Sequence, residues 1–204
     1  HLQIVKKKLK SPQSEVYAER TMRIDVVTLF PEMFQSFLDG SLLGTAQKAG
    51  LLDIRLSNIR DFAIGTHRQV DDRPYGGGPG MLLMPGPVVE CVESLFNEKD
   101  CSETSDHLTS IAMLTPSGKP LTQQIVEEFA TRRRIILLCG RYEGFDQRIC
   151  DTLKPELISV GNYVLSGGEV AAMVIIDAVA RLIPGVLGDS LSAVDDSFSG
   201  TDRL

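Results

Sequence analysis

Two rhythms of apolar and polar positions alternate along this chain. Residues 135–138, Ile135-Ile136-Leu137-Leu138, form an unbroken apolar run, the pattern of a strand covered on both faces of a parallel sheet. Leu157-Ile158-Ser159-Val160 is a second, shorter run. β-Branched content predicts a strand over 24–30, strict alternation predicts one over 51–59, and residues 110–114 predict another. Between them the spacing becomes helical: over 32–38 behind Pro31, from Pro85 or Pro87 to Phe96, and over 121–131 with Leu121, Ile125, Val126 and Phe129 on one side. A long apolar helix is expected over 169–182. Strand and helix thus alternate from 22 to 182. The expected fold is α/β, a mainly parallel sheet with helices on both faces.

The polar interruptions carry the candidate chemistry. The run at 135–138 stops in Gly140-Arg141-Tyr142-Glu143-Gly144, and that at 157–160 stops in Gly161-Asn162-Tyr163-Val164-Leu165-Ser166-Gly167-Gly168. Glycine lets the backbone turn tightly and approach a ligand. Two such loops after two buried strands would meet at the carboxyl edge of the sheet, where ligands of open α/β sheets sit. Ordinary turn chemistry explains each loop alone equally well. Neither is a GxGxxG fingerprint or a phosphate loop with GKS or GKT. Residues 60–80, ending Arg73-Pro74-Tyr75-Gly76-Gly77-Gly78-Pro79-Gly80, hold too much glycine and proline for helix or central strand and read as a long loop. Residues 115–120 read as the end of the 110–114 strand, and 97–107 as a polar surface connection.

Composition narrows the function. A chain of 204 residues holds one domain with ample core. Its net charge of −6 argues against indiscriminate nucleic-acid binding, leaving room only for local basic patches. The candidates are Lys6-Lys7-Lys8-Lys10, Arg132-Arg133-Arg134 and the scatter Arg55, Arg60, Arg68, Arg73, each equally readable as a solvated face. Cys91, Cys101, Cys139 and Cys150 form no metal-spaced set and read as reduced thiols of a cytoplasmic protein; His1, His67 and His107 are too scattered for zinc. No apolar run reaches the roughly 20 residues that span a bilayer.

CGRYEGFDQR (139–148) and SVGNYVLSGGE (159–169) resemble the two cofactor-binding segments of the bacterial tRNA (guanine-N1)-methyltransferase family, in the SPOUT superfamily. VDDRPYGGGPGM (70–81), TLFPEMF (28–34) and RLIPGVLG (181–188) resemble it in the same order, so the likeness runs from Met22 to the C-terminus. It implies a C-terminal trefoil knot, which general topology rules do not supply. It also implies a homodimer with the catalytic pocket between subunits, and methyl transfer from S-adenosyl-L-methionine to N1 of the tRNA guanosine immediately 3′ of the anticodon. On this reading residues 1–21 are an N-terminal extension or expression remnant, 22–188 the methyltransferase domain and 189–204 an interdomain linker. The family's C-terminal tRNA-binding domain would follow the linker.

Carried over residue by residue, the resemblance assigns the donor to Leu114, Thr115, Pro116, Gly140, Tyr142, Glu143, Gly144, Val160, Gly161, Asn162, Tyr163, Val164, Leu165, Gly167 and Gly168. Asn162 stands where the family often has aspartate. Glu143 would help place a magnesium ion. The base is Asp196, with Asp195 as alternative, and the cation that steadies the developing charge is Arg181. Without the resemblance, Arg181 only ends an apolar helix, where it complements the dipole. Two other readings are a cofactor- or RNA-binding module without turnover and, from GGGPG, a phosphate-binding hydrolase. The hydrolase lacks Lys-Ser/Thr and a metal-ligand cluster.

Overall fold

The apolar runs become neighbouring strands. A computed structural model describes residues 21–97 and 108–187. Residues 1–20, 98–107 and 188–204, which hold nearly all of the expected extension (1–21) and surface connection (97–107) and the whole expected linker (189–204) with Asp195 and Asp196, lie outside the described residues. In chain order the elements are β1 (Met22–Thr28), a 3-10 turn (Pro31–Phe34), α1 (Gln35–Asp39), α2 (Ser41–Lys48), β2 (Leu52–Asn58) and a second 3-10 turn (Ile59–Phe62). Then follow β3 (Asp71–Asp72), β4 (Leu82–Leu83), α3 (Pro85–Phe96), β5 (Thr109–Pro120) and α4 (Gln123–Ala130). The last are β6 (Arg134–Cys139), α5 (Gln147–Leu153), β7 (Glu156–Ser159) and α6 (Glu169–Leu182).

Five strands form one sheet in the order β2-β1-β6-β5-β7, every pairing parallel. Strand β6 lies at its centre and is buried at all six positions, as its unbroken apolar run requires. Its side chains alternate between two cores. Ile135, Leu137 and Cys139 meet α1, α2, α4 and α6, whereas Ile136 and Leu138 meet α3 and α5. Each such buried side chain contributes about 1.5–3 kcal/mol relative to exposure.

Four sequence expectations change here. The strand does not stop at Leu114; β5 runs on through residues 115–120 to Pro120. The strand shifts register against β7, with Leu114 and Lys119 both paired to Ile158, so 115–118 bulge outward. The expected 32–38 helix is a 3-10 turn followed by α1, because Pro31 opens a tighter turn. The 60–80 loop contains β3, which pairs with β4 antiparallel. Arg134 is no surface cation: it is 2% exposed, and its Nε donates to Asp25 Oδ2 at 2.6 Å. Its Nη1 donates to the Leu95 carbonyl at 3.0 Å, capping the end of α3. Arg55 and Arg68 are paired as well, with Asp53 at 2.8 Å and Asp61 at 3.1 Å.

Candidate active site

At the carboxyl edge of β5, β6 and β7, the loops that leave these strands enclose a cavity of about 360 Å³. That volume falls within the range of small-molecule sites. The first wall is the loop behind β6. The Gly144 N–H donates to the Arg141 carbonyl at 3.1 Å, closing a four-residue turn with Tyr142 at φ +59° and Gly144 at φ +118°. A tyrosine in the left-handed region costs on the order of 1 kcal/mol, and such strain collects at ligand sites. Tyr142 stands half-exposed at the rim.

The second wall is the loop behind β7. Ser159 Oγ donates to the Gly161 carbonyl at 3.0 Å, and Tyr163 Oη donates to the Val160 carbonyl at 3.1 Å, folding the ring over Gly161. A Cβ on Gly161 would lie 2.3 Å from that ring. The walls meet where the Gly168 N–H donates to the Gly140 carbonyl at 2.9 Å; a Cβ on Gly168 would lie 2.7 Å from Cys139 Cα. Only glycine permits this passage.

The third wall is the bulge of β5, where Leu114, Thr115 and Pro116 line the cavity, with the Thr115 and Ser117 hydroxyls 3.1 Å apart. Of the expected donor residues, Gly140, Tyr142, Glu143, Gly144, Val160, Gly161, Tyr163, Val164, Leu165, Gly167 and Gly168 also line it. Asn162 does not; it lies exposed on the outside of the same loop. Not foreseen were Met113, Phe145, Cys150, Leu157 and Ile158, whose side chains furnish apolar lining. Their signal in the sequence was position alone: Met113, Leu157 and Ile158 lie in strands that end at the cavity, Phe145 in the loop behind β6 and Cys150 on α5.

The 70–84 segment docks on this site. Glu143 N–H donates to the Met81 carbonyl at 3.0 Å, Leu83 N–H to the Gly144 carbonyl at 2.9 Å and Asp146 N–H to the Leu83 carbonyl at 3.1 Å. The glycine-rich stretch before Met81 is thereby held beside the cavity mouth.

A family model described as "tRNA (Guanine-1)-methyltransferase TrmD" matches residues 22–204. The chain belongs to this family. It is 55% identical over 184 residues to a tRNA (guanine-N(1)-)-methyltransferase of Rhodopirellula baltica, covering 90% of this chain and 74% of that relative. Proteins of the same name from Desulforamulus reducens and Brevibacillus brevis are each 48% identical, with 87% of this chain matched and 68% and 70% of theirs.

The residue expected to steady charge in this family's reaction does not join the cavity. Glu169 opens α6 at the meeting point of the loops, and Arg181 lies twelve residues further along the helix, about 18 Å at 1.5 Å per residue. Arg181 instead borders a groove with Phe37, Gln123, Val170, Val174 and Asp177. Val170 and Val174 are 46% and 45% exposed there.

The thiols are held protonated: burial and the nearby Asp151 carboxylate raise Cys150, which lines the cavity. Burial pushes the Cys91 thiol up to about 12, and burial next to the Glu169 carboxylate raises Cys139 well above the usual thiol range. Among the described residues no helix is long and apolar enough to cross a membrane.

Proposed function

We propose that this chain transfers a methyl group from S-adenosyl-L-methionine to N1 of the guanosine at tRNA position 37. The observation that carries the reading is the cavity itself. Its walls are glycine-containing loops on two sides and the β5 bulge on the third, at the sheet edge of a chain that belongs to this methyltransferase family. Backbone N–H and C=O groups of such loops suit the edges of an adenine ring, and the apolar side chains among them suit its faces. When bound, the donor supplies an electrophilic methyl group on a sulfonium.

Asp196 takes the N1 proton as the guanine becomes nucleophilic, a role typically worth 10²–10⁴-fold. Arg181 stabilises the negative charge that moves toward O6. With Arg181 remote from the cavity of its own chain, the active site is completed by a second copy, whose α6 brings Arg181 to it. The exposed Val170 and Val174 stripe supplies the apolar contact for this homodimer. The trefoil knot of this reading rests on the family resemblance and would involve the 140–144 and 160–168 loops.

Residues 22–188 act as the catalytic domain, and 189–204 as the linker that carries the base. Glu143 lines the cavity, and magnesium is ordinarily held by one or two carboxylates with water and substrate oxygens. Among the described residues no three His, Cys, Asp or Glu side chains group to hold an ion, and no step here depends on one. The reaction places the protein in the cytoplasm with its tRNA.

The test is transfer of labelled methyl from S-adenosyl-L-methionine to tRNA transcripts. Label is expected with guanosine at position 37 and lost when adenosine replaces it. Equal label on both transcripts would overturn the assignment.

A further inference from the structure

Beneath the meeting point of the two loops sits a charged pair that the reaction does not use. Glu169 is fully buried, and Arg141 Nε faces its Oε2 at 2.9 Å. The other oxygen, Oε1, accepts a hydrogen bond from Thr28 Oγ1 at 2.7 Å; that hydroxyl accepts from the Phe30 N–H at 3.0 Å. Three further contacts hold Arg141. Its Nη1 donates to the Ser166 carbonyl at 3.2 Å, its Nη2 meets Met33 Sδ at 3.1 Å, and its guanidinium lies 4.5 Å from the centre of the Phe30 ring. Gly167 makes room for the pair: a Cβ there would lie 2.3 Å from Arg141 Nε and 2.5 Å from Glu169 Oε2.

Arg141 also lines the cavity, whereas Glu169 does not. A cavity for a sulfonium donor therefore has a guanidinium in its wall, and like charges repel strongly in a part-buried site. We infer that Glu169 is a positioning residue whose carboxylate neutralises Arg141 and holds it against Met33 and Ser166, so that the cavity accepts a cationic donor. The inference rests on the reading of the cavity as an S-adenosyl-L-methionine site. It accounts for a fully buried carboxylate at a place where an apolar helix could have started without one.

The discriminating readout is the ratio of two affinities, because the donor carries a positive sulfur and its product S-adenosylhomocysteine does not. Calorimetry on the full chain with Glu169→Gln keeps the side-chain shape and the Thr28 contact but removes the charge. The donor is expected to weaken by roughly tenfold and the product by much less, so their ratio shifts several-fold. Arg141→Gln, measured at pH 8.5, leaves the carboxylate without its cation and is expected to shift the ratio the opposite way. That second variant carries the test if Glu169→Gln does not fold. A purely structural role would weaken both ligands alike in both variants, and that result, or an unchanged ratio, overturns the inference. Wild-type protein that binds neither ligand would overturn the donor reading itself and this inference with it.

Discussion

The backbone of Ile158 passes so close to Gly118 that a Cβ at residue 118 would lie 2.5 Å from the Ile158 nitrogen. The obstacle is main chain, which cannot rotate away as a side chain does. Gly118→Ala is therefore expected to cost about 1–3 kcal/mol, lowering the thermal midpoint by roughly 3–10 °C. Gly76→Ala, with no atom within 4 Å of its Cβ, is the control and should leave the midpoint nearly unchanged. Equal midpoints for the two variants would refute the close passage.

Asp25 and Arg134 are both buried, and Arg23 Nη2 also reaches Asp25, at 2.8 Å. Asp25→Ala takes the carboxylate from the buried Arg134 guanidinium and is expected to cost about 3–5 kcal/mol in urea unfolding. Replacing both, as Asp25→Leu with Arg134→Met, should recover much of that loss.

Asp146 accepts from the Arg148 N–H at 2.9 Å as the N-cap of α5, and its ion pair with Arg148 lowers its carboxyl from 3.8 to about 2. A carboxyl whose folded value is depressed stabilises the fold above about pH 4 and loses that contribution as pH falls through about 2. Asp146→Asn keeps the cap but removes the titration, so its acid unfolding should be flatter in that window than the wild type's. Asp146→Ala should also lose the cap, about 1 kcal/mol at neutral pH.

How far the sequence reached depended on whether a signal was local. The central strand β6 and helix α6 could be read from the chain because burial on both faces and a sustained apolar period leave local marks. Helix α5 went unread, being seven residues long with a single fully buried side chain, Ile149, although Asp146 marks its start. The 115–120 stretch has turn composition yet continues β5, because pairing with β7 outweighs its glycine and prolines. Arg134 sits in a run of three arginines, and only the β1–β6 pairing brings Asp25 to it. That two loops would meet at the sheet edge was legible through their glycines and through family resemblance. The Arg141–Glu169 pair beneath them was not, since it depends on how two loops cross.

Asp196→Asn should leave donor affinity nearly unchanged while lowering single-turnover methyl transfer by about 10²–10⁴-fold, because the amide cannot accept the proton. Arg181→Ala should also depress turnover. If each catalytic pocket draws these residues from different copies, mixing the two inactive variants restores one intact pocket per mixed dimer and partial activity. A mixture that stays inactive would place both residues on one chain. An Asp196→Asn enzyme at near-normal rate would move the base to Asp195.

The most direct test of the donor site is a crystal structure with S-adenosylhomocysteine bound. The product is expected between the 140–144 and 160–168 loops, with its adenine against backbone groups of those loops and against Leu114 and Ile158. Density for the product at any other place on the chain would contradict the account.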